Sequence, residues 1–283
     1  MNDLKLDNYK QQLAEIYNRR SKNYDESKWH PRITHRLVEA AQISPGQTVL
    51  DIATGTGHVA LEVAQIIGNS GRVIGVDIAP EMLEEARNKA ENFNQKNVEF
   101  ILADGELLDF PANSFDRILC ANAFPLFPEK EATLKIWYQL LKPGGIIGLH
   151  SMADKGFAAM NILQEILQKY ETNMSLFELA DSINSVEKYR QLLEKAGLEP
   201  REIKTEQYGN YVSLEEAKKR WNLVDYPTPG NDPHPLSQFS DSKVAKIKQE
   251  FESELEVLAT GEGVWNEGTT FLVLGCKPNT SVA

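Results

Sequence analysis

Cysteine is scarce in this 283-residue chain, which carries only Cys120 and Cys276. Each lies inside an apolar run that reads as a strand, so both are expected as buried thiols and not as a disulfide or metal pair. A reducing, cytoplasmic setting is the corresponding expectation. Long apolar runs are missing as well. Nothing approaches the roughly 20 apolar residues of a bilayer span, and "MNDLKLDNYKQQLAEIYNRR" has no apolar leader core, so a soluble chain without a membrane span is expected. Positive charge is in deficit, with 30 Lys and Arg against 41 Asp and Glu and a net charge of −11. Binding to a phosphate backbone needs clustered basic side chains that release counterions, so no nucleic-acid partner is expected. Repeats are absent, and no compact His, Cys and carboxylate cluster suggests a metal.

What is present is alternation. Residues 5–20 and 31–42 carry apolar positions at helical spacing, with Pro31 suited to a helix start. From residue 47 short apolar runs alternate with amphipathic stretches: "TVLDIA", then 57–67, "RVIGVDI", then 80–92, "VEFILAD", "FDRILCAN", then 129–141, and "GIIGLHS". Continuously apolar strands with helical crossovers predict a doubly wound α/β fold around a parallel sheet covered on both faces. Helices follow at about 157–170, 175–184 and 185–196, then strands at 200–208 and 269–278. Between those two strands, helices near 213–224 and 240–259 flank the Pro-rich "DYPTPGNDPHPL". That interval exceeds the usual hairpin loop of about 2 to 5 residues. The expected organisation is a helical lid segment over 1–44, a core over 45–208 and 267–278, and a helical cap over 209–266 for the acceptor.

The chemistry starts at "VLDIATGTGHVA", residues 49–60. "GTGHVA", from Gly55 to Ala60, satisfies the G-x-G-x-x-G/A pattern between a strand and a helix, and Asp77 ends the next strand. Alone this is a weak signal, because any ligand lying against the loop needs glycines. Asp51 separates the ligand classes. A pyrophosphate at the helix N-terminus would be repelled by a carboxylate beside it. A ligand carrying an ammonium and a sulfonium, such as S-adenosyl-L-methionine, would be attracted. Asp104 then follows the third strand in "LADGELLDFPANSFDRI", where it is placed to accept from an adenine amino group while the Gly105 or Glu106 amide donates to the ring. Asp51, Asp77 and Asp104 thus end three successive strands, where open α/β sheets bind ligands.

With "VLDIATGTG", "VIGVDIAPEMLEEAR", "LADGELLDFPANSFDRI" and "LKPGG" in order over at least 45–151, the chain resembles a class I S-adenosylmethionine-dependent methyltransferase of the ubiquinone/menaquinone-type and small-molecule group. The resemblance implies a Rossmann-like seven-stranded sheet with an antiparallel last strand. It implies S-adenosyl-L-methionine as cofactor, with Asp51, Ala53, Gly55 and Gly57 about the methionine moiety. Asp77 would take the ribose hydroxyls, Ile78 and Met82 would flank the adenine, and Asp104, Gly105 and Asn122 would complete the cofactor site. "NRRSKNYDESKW" resembles the segment that folds over the cofactor in such enzymes, bringing Tyr24 to the methionine end.

Each assignment has a plainer counterpart. Asp77 and Pro80 also suit a helix start. Met82 is equally suited to the core, Tyr17, Tyr24 and Trp29 to helix packing, and His58 to simple loop lining. His150 ends the fifth strand, where it reads either as a base for a hydroxyl or amine nucleophile or as a buried, satisfied histidine. "ANAFPLFPE" places Phe124, Leu126 and Phe127 where an apolar or aromatic acceptor would rest, or where a loop would pack. The candidate cap adds Tyr208, Tyr211, Trp221, Tyr226, His234 and Trp265, of which Tyr211 and Tyr226 are taken as acceptor contacts. The reaction expected is methyl transfer to oxygen, nitrogen or activated carbon of a small molecule. A nicotinamide oxidoreductase and a noncatalytic cofactor-binding protein stay as alternatives, and oligomeric state stays open.

Overall fold

The computed structural model describes residues 4–26, 29–152, 157–174, 183–227, 229 and 234–279. The apolar runs form one seven-stranded sheet in the order β3-β2-β1-β4-β5-β7-β6, with the last strand antiparallel. Its strands are β1 (Thr48–Ile52), β2 (Arg72–Asp77), β3 (Val98–Leu102), β4 (Phe115–Ala121), β5 (Leu141–Met152), β6 (Glu199–Val212) and β7 (Val264–Cys276). The helices around them are α1 (Asn8–Arg20), α2 (Trp29–Ala40), α3 (His58–Ile67), α4 (Pro80–Asn92), α5 (Lys130–Leu140), α6 (Ala158–Lys169), α7 (Val186–Lys195), α8 (Leu214–Lys218) and α9 (Asp241–Leu258). The doubly wound expectation is thereby met.

Burial on both faces explains the apolar runs. Val49, Leu50 and Ile52 of β1, Val73 and Val76 of β2, and Ile118 and Leu119 of β4 are all fully buried. Each such side chain contributes about 1.5 to 3 kcal/mol relative to exposure, so shifting a strand by one residue would be costly. Parallel pairing sets Asp51 beside Gly75 on one side and Leu119 on the other. The strand order reverses between β1 and β4, and a reversal of this kind opens a crevice at the carboxyl ends of the two strands.

The chain divides into two compact units. The first comprises 1–151, 186–204 and 271–283, and the second 152–185 and 205–270. The second unit therefore takes in residues 152–185, which the sequence reading grouped with the core. The cause is an apolar face of α6, where Leu163, Ile166 and Leu167 join Ile247, Phe251 and Leu255 of α9 in a core of their own. The helix expected at 213–224 is instead short α8 followed by a 3₁₀ turn over Lys219–Asp225. Strands β6 and β7 run longer than 200–208 and 269–278. Most of the expected helix at 175–184, and part of the Pro-rich loop, lie outside the described residues.

Cys120 and Cys276 are buried free thiols. Among the described residues no helix is long and apolar enough to cross a membrane.

Candidate functional site

The turn leaving β1 is shaped by left-handed backbone. Ala53 has φ +54°, Gly55 +55° and Gly57 +87°, and α3 starts at His58. A Cβ on Gly57 would approach the Ala86 Cβ and the Phe100 ring at 3.1 Å, so this glycine permits close packing as well as the turn. Gly55 differs, because a Cβ there would meet nothing within 4 Å. Its open side is the space a ligand would use. Ala53 and, after β4, Asn122 with φ +59° are not glycines, and an L-residue held in this region costs of order 1 kcal/mol or more. Both strained residues border the same cavity.

That cavity spans about 760 Å³, part of it open solvent. Its walls are strand ends and the turns after them. Ile52 ends β1 and Ala53 and Gly55 follow it, Asp77 ends β2 and Ile78 follows it, Asp104 to Glu106 follow β3, and Ala121 ends β4 with Asn122 and Ala123 after it. Met82 of α4 closes one side, and Leu126 and Phe127 another. One face of α1 supplies a further wall through Tyr9, Leu13 and Tyr17, with Lys10 beside them and Tyr24 in the following 3₁₀ turn.

The three acids differ in setting. Asp77 accepts from the Gly55 N–H at 2.8 Å and from the Ala79 N–H at 2.9 Å, so its carboxylate is aimed by backbone before any ligand arrives. Burial raises its pKa above the ordinary carboxylate value against the backbone N–H bonds of Ala79, Gly55 and Ile78. Asp104 is 3% exposed, accepts from the Glu106 N–H at 2.9 Å, and pairs with Lys10 Nζ at 2.6 Å. The same ammonium stands 2.6 Å from Glu106 Oε2. Burial acts to lower the Lys10 pKa, but the two carboxylates outweigh it and hold the side chain above its ordinary value.

Asp51 lies deeper. It is 1% exposed, accepts from Thr54 Oγ1 at 2.5 Å and from the Ala60 N–H at 3.2 Å, and is pushed up to about 7 by burial, assisted by the negative charge of Asp77. It borders a second, smaller cavity of about 370 Å³ that shares Tyr24, Ala53, Gly55, Ala121 and Asn122 with the first. His30, Thr34 and His58 also face this annex. Tyr24 lies parallel to the His30 ring at 4.2 Å, and the adjacent Asp25 accepts from Thr56 Oγ1 at 2.6 Å, from His58 Nε2 at 2.9 Å and from Lys89 Nζ. Asp25 thus ties the 3₁₀ turn to the glycine loop and to α4, and these partners hold its pKa below the usual range although burial opposes them.

Of the residues singled out from sequence, Tyr24, Ala53, Gly55, Asp77, Ile78, Met82, Asp104, Gly105, Asn122 and Phe127 surround one cavity. Asp51 meets only the annex, and Gly57 acts through backbone packing. Phe124 is fully buried against Trp137 with ring centroids 5.8 Å apart, while Phe127, just after the 3₁₀ turn Phe124–Leu126, packs edge-on to the same Trp137 at 5.4 Å and still borders the cavity. His150 is fully buried in β5 and lines neither cavity; Nδ1 stands 3.4 Å from Asn122 Oδ1. Tyr211 and Tyr226 belong to the second unit. The face of α1 was missed. Tyr9, Leu13 and Tyr17 follow helical spacing, which predicts a buried stripe without saying that a cavity lies beneath it.

A family profile described as a methyltransferase domain matches residues 43–197. Aklanonic acid methyltransferase from Streptomyces sp. (strain C5) is 32% identical over 145 residues, covering 50% of this chain and 66% of that protein. A ubiquinone/menaquinone biosynthesis C-methyltransferase from Enterobacter sp. (strain 638) is 38% identical over 117 residues, covering 39% of this chain and 47% of that protein. The chain thus spans about half to two thirds of these relatives. The crystal structure of a Bacillus halodurans C-125 protein superposes with TM-score 0.59 at 22% identity, covering 87% of this chain and 98% of that one, which is a likeness of fold.

Proposed function

The chain belongs to the methyltransferase-domain family, and from that premise we propose that it moves the methyl group of S-adenosyl-L-methionine to an oxygen, nitrogen or activated carbon of an apolar or aromatic small molecule. The observation that carries the reading is the ring of acids at three successive strand ends, with Asp77 and Asp104 on the cavity and Asp51 on its annex. A pyrophosphate ligand would be opposed by that ring, and Lys10, the one Lys or Arg on the larger cavity among the described residues, is already paired with two carboxylates. A sulfonium and an ammonium are favoured by the same field.

The residues fit the cofactor. Asp77 has remaining acceptor capacity for ribose hydroxyls, Ile78 and Met82 offer apolar walls to a purine, Asp104 offers an acceptor for its amino group, and the open side of Gly55 admits the methionine end. When bound, the cofactor supplies a sulfonium-activated methyl for in-line displacement. The chain's own work is to align the acceptor, exclude water and fix the charges around the site. Tyr9, Leu13 and Tyr17 of α1, with Tyr24 after it, are suited to covering the site, and the 1–44 segment is read as its lid. Leu126 and Phe127, which border the cavity, are assigned to the acceptor. The names of the two curated relatives, with aklanonic acid and ubiquinone or menaquinone in them, support an apolar ring-bearing acceptor.

Calorimetry with S-adenosylmethionine, S-adenosylhomocysteine and NADH in parallel tests the reading. Micromolar binding of the first two and none of the third is expected, and binding of NADH alone would overturn it.

A further inference from the structure

The adenine end of the proposed site contains a charged cluster that no sequence motif announces. Lys10 Nζ lies 2.6 Å from Asp104 Oδ2 and 2.6 Å from Glu106 Oε2, and all three side chains border the cavity. Glu106 Oε1 lies 2.9 Å from Thr133 Oγ1 of α5, whose single proton it shares with the Glu129 carbonyl at 2.8 Å. The Tyr9 hydroxyl donates to the Leu126 carbonyl at 2.8 Å, so two consecutive residues of α1 are fastened to turns following two different strands. Lys10 is only 13% exposed, which means its position is held by these partners and not by chance in solvent.

Of the two amides expected to read the purine ring, Gly105 and Glu106, the second is partly committed. The Glu106 N–H donates to Asp104 Oδ1 at 2.9 Å, where it orients that carboxylate. An ammonium has three donors, and two of those on Lys10 are directed at carboxylates. The third is available to the cavity. A purine amino group donating to Asp104 brings the ring nitrogens on either side of it within reach of Nζ, since Nζ is already in contact with the accepting carboxylate.

Resting on the cofactor reading above, we propose that Lys10 is a specificity-determining residue, an N-terminal donor to the adenine ring nitrogen adjacent to the amino group, read together with Asp104. Glu106 and Thr133 act as its positioning residues. Adenine recognition is then shared between the sheet and α1, and the lid is assembled around the purine it identifies.

The test compares S-adenosylhomocysteine with its 1-deaza and 7-deaza analogues, each lacking one of the two flanking ring nitrogens, on the full chain by calorimetry. Wild type is expected to lose about tenfold in affinity on one analogue, the size of one hydrogen bond. Lys10→Met is expected to bind the parent compound about tenfold more weakly and to show no further loss on that analogue, the signature of direct coupling. Lys10→Arg should restore the discrimination. Equal wild-type affinity for all three ligands, or a deaza penalty that persists unchanged in Lys10→Met, would overturn the inference while leaving the cofactor reading intact. Should Lys10→Met fail to fold, Lys10→Gln takes its place in the same comparison. No binding of S-adenosylhomocysteine to wild type would instead remove the cofactor reading, and this inference with it.

Discussion

The Gly55 amide donates to Asp77 Oδ2 at 2.8 Å, joining the loop after β1 to the acid that ends β2. Two features that sequence reading treats as separate signals are therefore one structural unit. The carboxylate is held in place by backbone, and the glycine whose open side borders the cavity is also the one that aims it.

Asp77→Ala should weaken binding of S-adenosylhomocysteine by about 1 to 3 kcal/mol, because a charge-assisted acceptor is lost and the Gly55 and Ala79 amides lose their partner. Calorimetry reads this directly. Affinity equal to wild type would show that the ribose hydroxyls are not held here.

Cofactor affinity should depend on pH through Asp51, whose pKa burial lifts to about 7. A cationic ligand end favours the carboxylate, so binding strengthens as pH rises toward 8 and weakens below 7. At pH 6 about a tenth of such a group is ionised, giving roughly a tenfold weaker affinity. Binding at pH 6.5 should release protons, visible as a dependence of the heat on buffer ionisation. His30 and His58 share the annex, and Asp51→Asn separates their titration from that of Asp51. The same shift makes an opposite statement about folding: a carboxyl raised in the native state costs stability as pH rises from about 4 to 7. A pH-independent affinity in wild type would refute the assignment.

His150 should prove a positioning residue and not a base. Its ring is fully buried, and its main-chain oxygen accepts from the Asn122 N–H at 2.6 Å. His150→Ala should cost about 2 to 4 kcal/mol of stability through the void left in β5. His150→Gln, which keeps a polar group near Asn122, should preserve most of kcat and the shape of the pH–rate profile. A large fall in kcat at unchanged Tm, with one limb of that profile gone, would restore the base.

Local chemistry determined much of this protein in advance. Parallel strands are buried on both faces, so β1, β2, β4 and β5 appear in the sequence as continuous apolar runs, and their order with the helices between them implies the crevice. Asp77, Asp104 and the glycine loop were legible for the same reason, since each stands within a few residues of a strand end.

Tertiary structure decided what contact across distance decides. Lys10 reaches Asp104 over 94 positions, and neither residue carries a local sign of the other. Phe124 and Phe127 look alike in sequence, yet one 3₁₀ turn buries the first and leaves the second on the cavity. The apolar face of α6 predicts burial without naming its partner, and only packing shows that it joins α9 in a separate core. Periodicity specifies that a face will be covered; which surface covers it is set by the three-dimensional arrangement of the rest of the chain.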